Sequence, residues 1–351
     1  MRANVPSKKK KTYYVQDGLR NYLQTHGRET PLPIRYEDLR RFTRSFPLYD
    51  LDGNDTYWET VQYEQNELQE LVENLTFIYA LLKAGGDVEV TQHLTVARID
   101  FCKFGNSNPF RVRIINRLND NYDHFYVKTA DASRIYGLEL EDLLSPNRMQ
   151  FLVDGQTLIE EHVPGVPGDL FIKKYLPALH EFDQIRVAKE FVKFNERCFV
   201  RLLGDMRAYN YVVDITPDIE GSQYRIRAID FDQQSYEGRK SFYLPQYFKE
   251  NNPIIFLGIQ HMSPQTVRQY QLEERTMIAA RIMTERERTN ELLGIMRADR
   301  ISSLDKVEQL RAELAEHHLT ELFQRCVTMG EVVESNIRLL LKKAFRQSIA
   351  S

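Results

Sequence analysis

An α+β fold in two parts, a small antiparallel β-rich portion followed by a larger helical one, is what this 351-residue chain predicts. The stretches VTQHLTVARIDF, FRVRIINRL and HFYVKTA alternate in polarity and are rich in β-branched and aromatic residues. CKFGNSNP and NDNYD separate them as turns, so residues 89–130 read as a three-strand meander. A helical period precedes this meander, and helical patterns dominate from Gly168 onward. Strands and helices are segregated rather than alternating, which excludes a doubly wound parallel sheet.

The elements follow in order. Up to about residue 55 the pattern is mixed, with Pro31, Pro33 and Pro47 breaking any long element. Residues 56–84 read as a long helix. Thr56 and Glu59 form a capping box, Leu68, Leu71, Val72, Leu75, Ile78 and Leu82 recur at helical spacing, and Gly85 with Gly86 ends it. After the meander, DASRIYGLELEDLL reads as a short helix stopped before Pro146, and RMQFLVDGQTLIEEHV as two strands around Asp154-Gly155. Short strand-like pieces lie at 211–214 and 224–230. The last hundred residues read as helices, with a second capping box at Ser302 and Asp305. The expected organisation is an N-terminal extension over 1–86, a β-rich lobe over 87–163 and a helical lobe over 164–351.

Composition narrows the function classes. A net charge of -3 gives no strong nucleic-acid signal, and 42% hydrophobic with 11% aromatic residues describes a folded globular chain. Cys102, Cys198 and Cys326 show neither metal spacing nor a disulfide framework, which fits a reducing, cytoplasmic setting. The start MRANVPSKKKKTYYV lacks the apolar segment of a signal peptide, and no apolar run reaches the roughly 18 residues of a membrane span. The sequon at Asn74 is therefore expected to stay unmodified. Lys8 to Lys11 read as a solvated tail, His124, His162 and His180 as structural, and 274–300 as an exposed helix laced with i,i+4 ion pairs.

Four polar groupings stand against this framework. FYVK ends the third strand with Lys128, and the helix after it carries Glu139 and Glu141, either able to fix the lysine rotamer. LIEEHVPGVPGDLF runs from a strand into a Pro/Gly segment, where Glu161 and Val163 offer backbone groups to a flat ring. LLGDMRAYNYVV places Asp205, Arg207 and Asn210 directly before an apolar run. YRIRAIDFDQQ places Asp230 and Asp232 just past a strand, where carboxylates are costly unless they bind water, a cation or a metal.

In this order the groupings resemble the protein-kinase-like superfamily, which spans protein kinases and aminoglycoside- and choline-type phosphotransferases. LGDMRAYNYVV resembles the catalytic loop, AIDFDQQ the metal-binding segment, FYVK the strand-three lysine and EEHVPGVPGDLF the hinge; together they cover roughly residues 90–245. The resemblance implies a bilobal protein-kinase-like fold with ATP and Mg2+ bound between lobes. It implies that Asp205 is the base or hydroxyl-orienting carboxylate and that Arg207 steadies the transferred phosphoryl group. Lys128 would hold the α and β phosphates, Asn210 and Asp230 the magnesium, with Asp232 a further ligand. Gly105 in KFGNSNPF would cradle phosphate through backbone N–H groups.

The sequence also departs from the pattern. Leu203-Gly204 precedes the loop aspartate, Asp232 stands in place of a flexible glycine, DITPDIEGSQ lengthens the segment from Asn210 to Asp230, and no Ala-Pro-Glu motif is present. The expected function is ATP/Mg2+-dependent phosphoryl transfer to a hydroxyl of a protein or small-molecule acceptor. Two alternatives stay open: a pseudokinase serving as a nucleotide-binding or scaffold module, and an unrelated α+β interaction protein. The local alternative for Asp205 and Asn210 is a turn and cap pair, for Asp230 and Asp232 a solvated strand exit, and for Lys128 a surface lysine.

Overall fold

The computed structural model describes residues 10–50, 52–103, 107–219 and 221–348. The fold is α+β, and the chain divides into two compact units. The first comprises Met1–Ala132 and Met149–His162, the second Ser133–Arg148 and Val163–Ser351. Residues 1–86 thus share a unit with the strands that follow them, and 133–148 belong with the helical unit.

Among its described residues the first unit is built on a seven-stranded antiparallel sheet. The strands are β1 (Arg44–Tyr49), β2 (Asp55–Gln62), β3 (Leu94–Cys102), β4 (Phe110–Asn116), β5 (Tyr122–Thr129), β6 (Phe151–Asp154) and β7 (Thr157–Glu161), in the order β1-β2-β3-β4-β5-β7-β6. β3 to β5 are the expected meander, and Gly155, at φ +58, turns β6 into β7. One face of the pleat carries Ile99, Phe101, Phe110, Val112, Ile114, Phe125, Val127 and Ile159 into the core. Each such fully buried side chain contributes about 1.5–3 kcal/mol.

Helices α1 (Asp17–Thr25), α2 (Tyr36–Leu39) and α3 (Gln65–Ala84) complete this unit. Leu71, Leu75, Ile78 and Leu82 of α3 lie in the same core, while Leu68 is exposed. Gly85, at φ +60, ends the helix in the left-handed conformation expected of it. The expected start at Thr56 is corrected: residues 55–62 are β2, and α3 begins only at Gln65 with no side-chain cap. Thr56, Trp58, Thr60 and Val61 favour a pleated strand, and the Thr56 hydroxyl donates to the Leu48 carbonyl across the hairpin instead of capping a helix. Pro47 is accommodated because β1 is the edge strand of the sheet.

The second unit contains α4 (Ala132–Leu144, from Ser133 on), β8 (Val166–Pro167), α5 (Gly168–Leu170), α6 (Glu181–Arg201), β9 (Tyr211–Asp218) and β10 (Gly221–Ala228). It continues with α7 (Asn252–His261), α8 (Pro264–Thr284), α9 (Arg286–Ala298), α10 (Leu304–His318) and α11 (Met329–Ser348). β10-β9-β8 form a small antiparallel sheet, and residues 214–218 and 221–223 of the long segment simply extend its hairpin. The 274–300 stretch is not one exposed helix. It breaks at Glu285, and two charges before the break pair across to α6, Glu274 with Arg197 and Arg275 with Glu196. The cap of α10 is Ser303, while the Ser302 hydroxyl donates to the Tyr236 carbonyl.

Candidate functional site

The loop 202–210 lies between α6 and β9 and is tied down almost residue by residue. Leu202, at φ +55, ends α6, and the N–H of Leu203 returns to the Cys198 carbonyl. Gly204 N–H donates to the Gln233 carbonyl and Asp205 N–H to the Phe242 carbonyl, both at 3.1 Å. A side chain at position 204 would put its Cβ 2.7 Å from the Phe242 ring, which is why glycine precedes the aspartate here. Below the loop, Asn251 is fully buried. Its Nδ2 donates to the carbonyls of Met206 and Pro245, and its Oδ1 accepts from the Tyr211 hydroxyl. Residues 242–251 therefore support the loop, through the Phe242 carbonyl and the Asn251 side chain.

Within that frame Asp205 adopts φ +59, a left-handed conformation uncommon outside glycine and most tolerated by Asp and Asn. Arg207 Nε donates to Asp205 Oδ1 at 3.0 Å, and the same guanidinium donates from its NH1 nitrogen to Glu250 at 2.8 Å. Asn210 Nδ2 donates to the Asp205 carbonyl at 2.7 Å, and the Asn210 carbonyl accepts from Ile229 N–H, which joins the loop to the segment carrying Asp230. Burial lifts the Asp205 carboxyl to about 6, the neighbouring charges of Asp230 and Glu250 add to the rise, and Arg207 opposes it. At neutral pH it is mostly ionised, yet more basic than an ordinary carboxylate, which suits proton abstraction.

The second acidic cluster is organised by a residue the sequence reading missed. Arg134, on α4, donates from Nε to Asp232 Oδ1 and from its NH2 nitrogen to Asp230 Oδ1, each at 2.6 Å. Asp232 N–H also donates to Asp230 Oδ1. An arginine inside the largely apolar period of DASRIYGLELEDLL was the available signal, since a buried guanidinium requires acid partners.

Glu139 and Glu141, expected beside Lys128, are engaged elsewhere on α4: Arg288 binds Glu139, and Arg201 binds Glu141. In the first unit, Lys128 Nζ donates to Glu160 at 2.6 Å, and both residues are buried. Strand register explains the partner. Lys128 stands opposite Leu158, so Glu160, two residues on, is its diagonal neighbour on the same face of the sheet. The Glu161 carboxylate accepts from Lys83 and from Gln150 N–H, its own N–H donates to the Gln150 carbonyl, and Val163 is buried. Gly105 lies outside the described residues.

Among the described residues, no three His, Cys, Asp or Glu side chains converge as a metal-ligand set. Magnesium does not require one, because it retains waters and takes one or two carboxylates together with phosphate oxygens. Asn210 fits such a role: its amide nitrogen is held by the loop, which leaves Oδ1 as an acceptor. Asp230 fits through a partly exposed carboxylate that already carries one arginine contact. Asp232 fits poorly, being buried and taken up by Arg134. No protein-family model matches the chain, and no curated protein matches its sequence.

Proposed function

We propose that this chain is an ATP- and magnesium-dependent phosphotransferase of the protein-kinase-like superfamily, with the first unit as its β-rich lobe and the second as its helical lobe. The observation that carries the reading is Asp205, a carboxylate raised to about 6 on a fixed loop, with Asn210 beside it and Asp230 near enough to raise it further. Asp205 would accept the proton of an acceptor hydroxyl as its oxygen bonds the γ-phosphorus. The bond from that phosphorus to the bridging oxygen breaks, and its electrons leave on the β-phosphate of ADP. Arg207 would keep Asp205 oriented and place positive charge beside the developing phosphoryl transition state. Asn210 and Asp230 would hold Mg2+, which neutralises phosphate charge when bound. Lys128, held by Glu160, would take the nucleotide phosphates. Little covalent chemistry is asked of these side chains, so rigidity and charge carry the rate.

One observation favours a second reading, a pseudokinase that binds nucleotide or a partner without turnover: Arg134 already engages both Asp230 and Asp232. Thermal shift with ATP separates the two when coupled to turnover. The phosphotransferase reading expects stabilisation that needs Mg2+, is lost in Asp230→Asn, and accompanies transfer of labelled γ-phosphate to an acceptor or to water. ATP stabilisation that ignores both Mg2+ and Asp230→Asn, with no transfer, would establish the pseudokinase instead.

A further inference from the structure

The second unit carries an apolar groove of about 520 Å3 between α6, α7 and α8. Nothing in the loop chemistry above uses it. Phe191 and Val192 of α6, Ile254 and Ile259 of α7, and Met262 line it. The sequence of α7, NPIIFLGIQH, is apolar nearly all round, yet Ile254 alone is buried among its residues, while Phe256 is 61% and Ile259 72% exposed. A helix of that composition normally lies inside a core. Its volume falls within the roughly 300–1,000 Å3 of small-molecule sites, and its wall has their composition, apolar with a few polar groups.

Two of those polar groups define what the site would take. Asn195 is 4% exposed. Its Oδ1 accepts from Gln246 N–H, its Nδ2 meets no acceptor among the described residues, and the residue lines the groove. Arg268 stands at the rim, exposed and without an ion-pair partner among the described residues. A buried amide donor and one cation, set against an apolar wall, complement an apolar chain ending in a single negative charge. A doubly charged phosphate would be neutralised only by half.

We infer that this groove binds a small monoanionic amphiphile of the fatty-carboxylate class, with its chain along Phe191, Val192 and Ile259 and its head at Arg268 and Asn195. The site is independent of the phosphotransfer reading. It nevertheless borders the loop support: Gln246, bonded to Asn195, begins the segment that reaches Glu250 and Asn251, the partners of Arg207 and Met206.

Calorimetric titration of the full chain with decanoate, kept below its micellar concentration, tests the assignment. The expected result is saturable one-to-one binding, and weaker binding of decyltrimethylammonium, which has the same chain and the opposite charge. Arg268→Glu should weaken decanoate at least about fivefold, the scale of an exposed ion pair, without weakening the cation. Ile259→Glu, at an exposed position that leaves folding intact, should weaken both ligands. Absence of saturable decanoate binding overturns the inference. So does binding unchanged in both variants, or a cation that binds as tightly as the anion.

Discussion

Two carboxylate–arginine arrangements lie close together in the second unit, and burial makes them different devices. Arg134, with 3% of its side chain exposed, sits between Asp230 and Asp232. Arg207, with 36% exposed, meets Asp205 and Glu250 from the solvent side. The buried guanidinium holds the buried Asp232 and the partly exposed Asp230 together, so its role is structural. The exposed one competes with water and cannot offset the burial of Asp205, so that carboxyl stays raised to about 6. The same pair of residue types thus yields an anchor in one place and a reactive group in the other.

The comparison breaks most visibly at Arg134. Arg134→Ala removes the guanidinium that a buried Asp232 and a partly buried Asp230 share, so it should cost about 3–5 kcal/mol in urea unfolding. Adding Asp232→Asn should recover part of that loss. A variant as stable as the parent would show that the clamp is not an anchor.

The next effect concerns pH. The folded carboxyl of Asp205 is raised from 3.8 to about 6, so the folded state holds this proton more tightly than the unfolded chain does. Its contribution to stability is therefore greatest at low pH, declines as pH rises from about 4 through 6, and is absent above. The full span is about 3 kcal/mol at most. Asp205→Asn should flatten this decline, measured as unfolding free energy at pH 5 and pH 8. Turnover should move the opposite way, falling about tenfold per pH unit below 6 as the base becomes protonated.

Arg207→Ala should have the smallest effect on stability, about 1 kcal/mol or less, because the pair is exposed. Its turnover should lie between that of the parent and that of an Asp205 variant. A larger stability loss than that of Arg134→Ala would reverse the comparison.

How much of this was legible in the sequence follows the range of the interactions. The meander, the Gly155 turn and the Gly85 stop are set by neighbours in the chain, and their patterns were readable. So was the spacing from Asp205 to Asn210, since both belong to one loop. The β1–β2 hairpin was hidden because Thr56 and Glu59 mimic a cap, while the partner that decides, Leu48, lies on the other strand. Glu160 as the partner of Lys128 depends on the register of β5 against β7, which local pattern does not give. Arg134 and Asn251 act on residues 96 and 45 positions away, respectively. An arginine in an apolar helical period signals that acid partners exist but not which ones, and Asn251 carries no local sign of its partners.

Asp205→Ala tests the central claim most directly, with melting temperature and ATP turnover measured on the same preparation. A carboxylate that acts in the transition state should leave nucleotide binding intact and lower turnover at least about 100-fold. Removing a residue with a raised carboxyl should leave the melting temperature at neutral pH unchanged or higher. A lowered melting temperature with turnover equal to the parent would contradict the account and reduce the loop 202–210 to a turn.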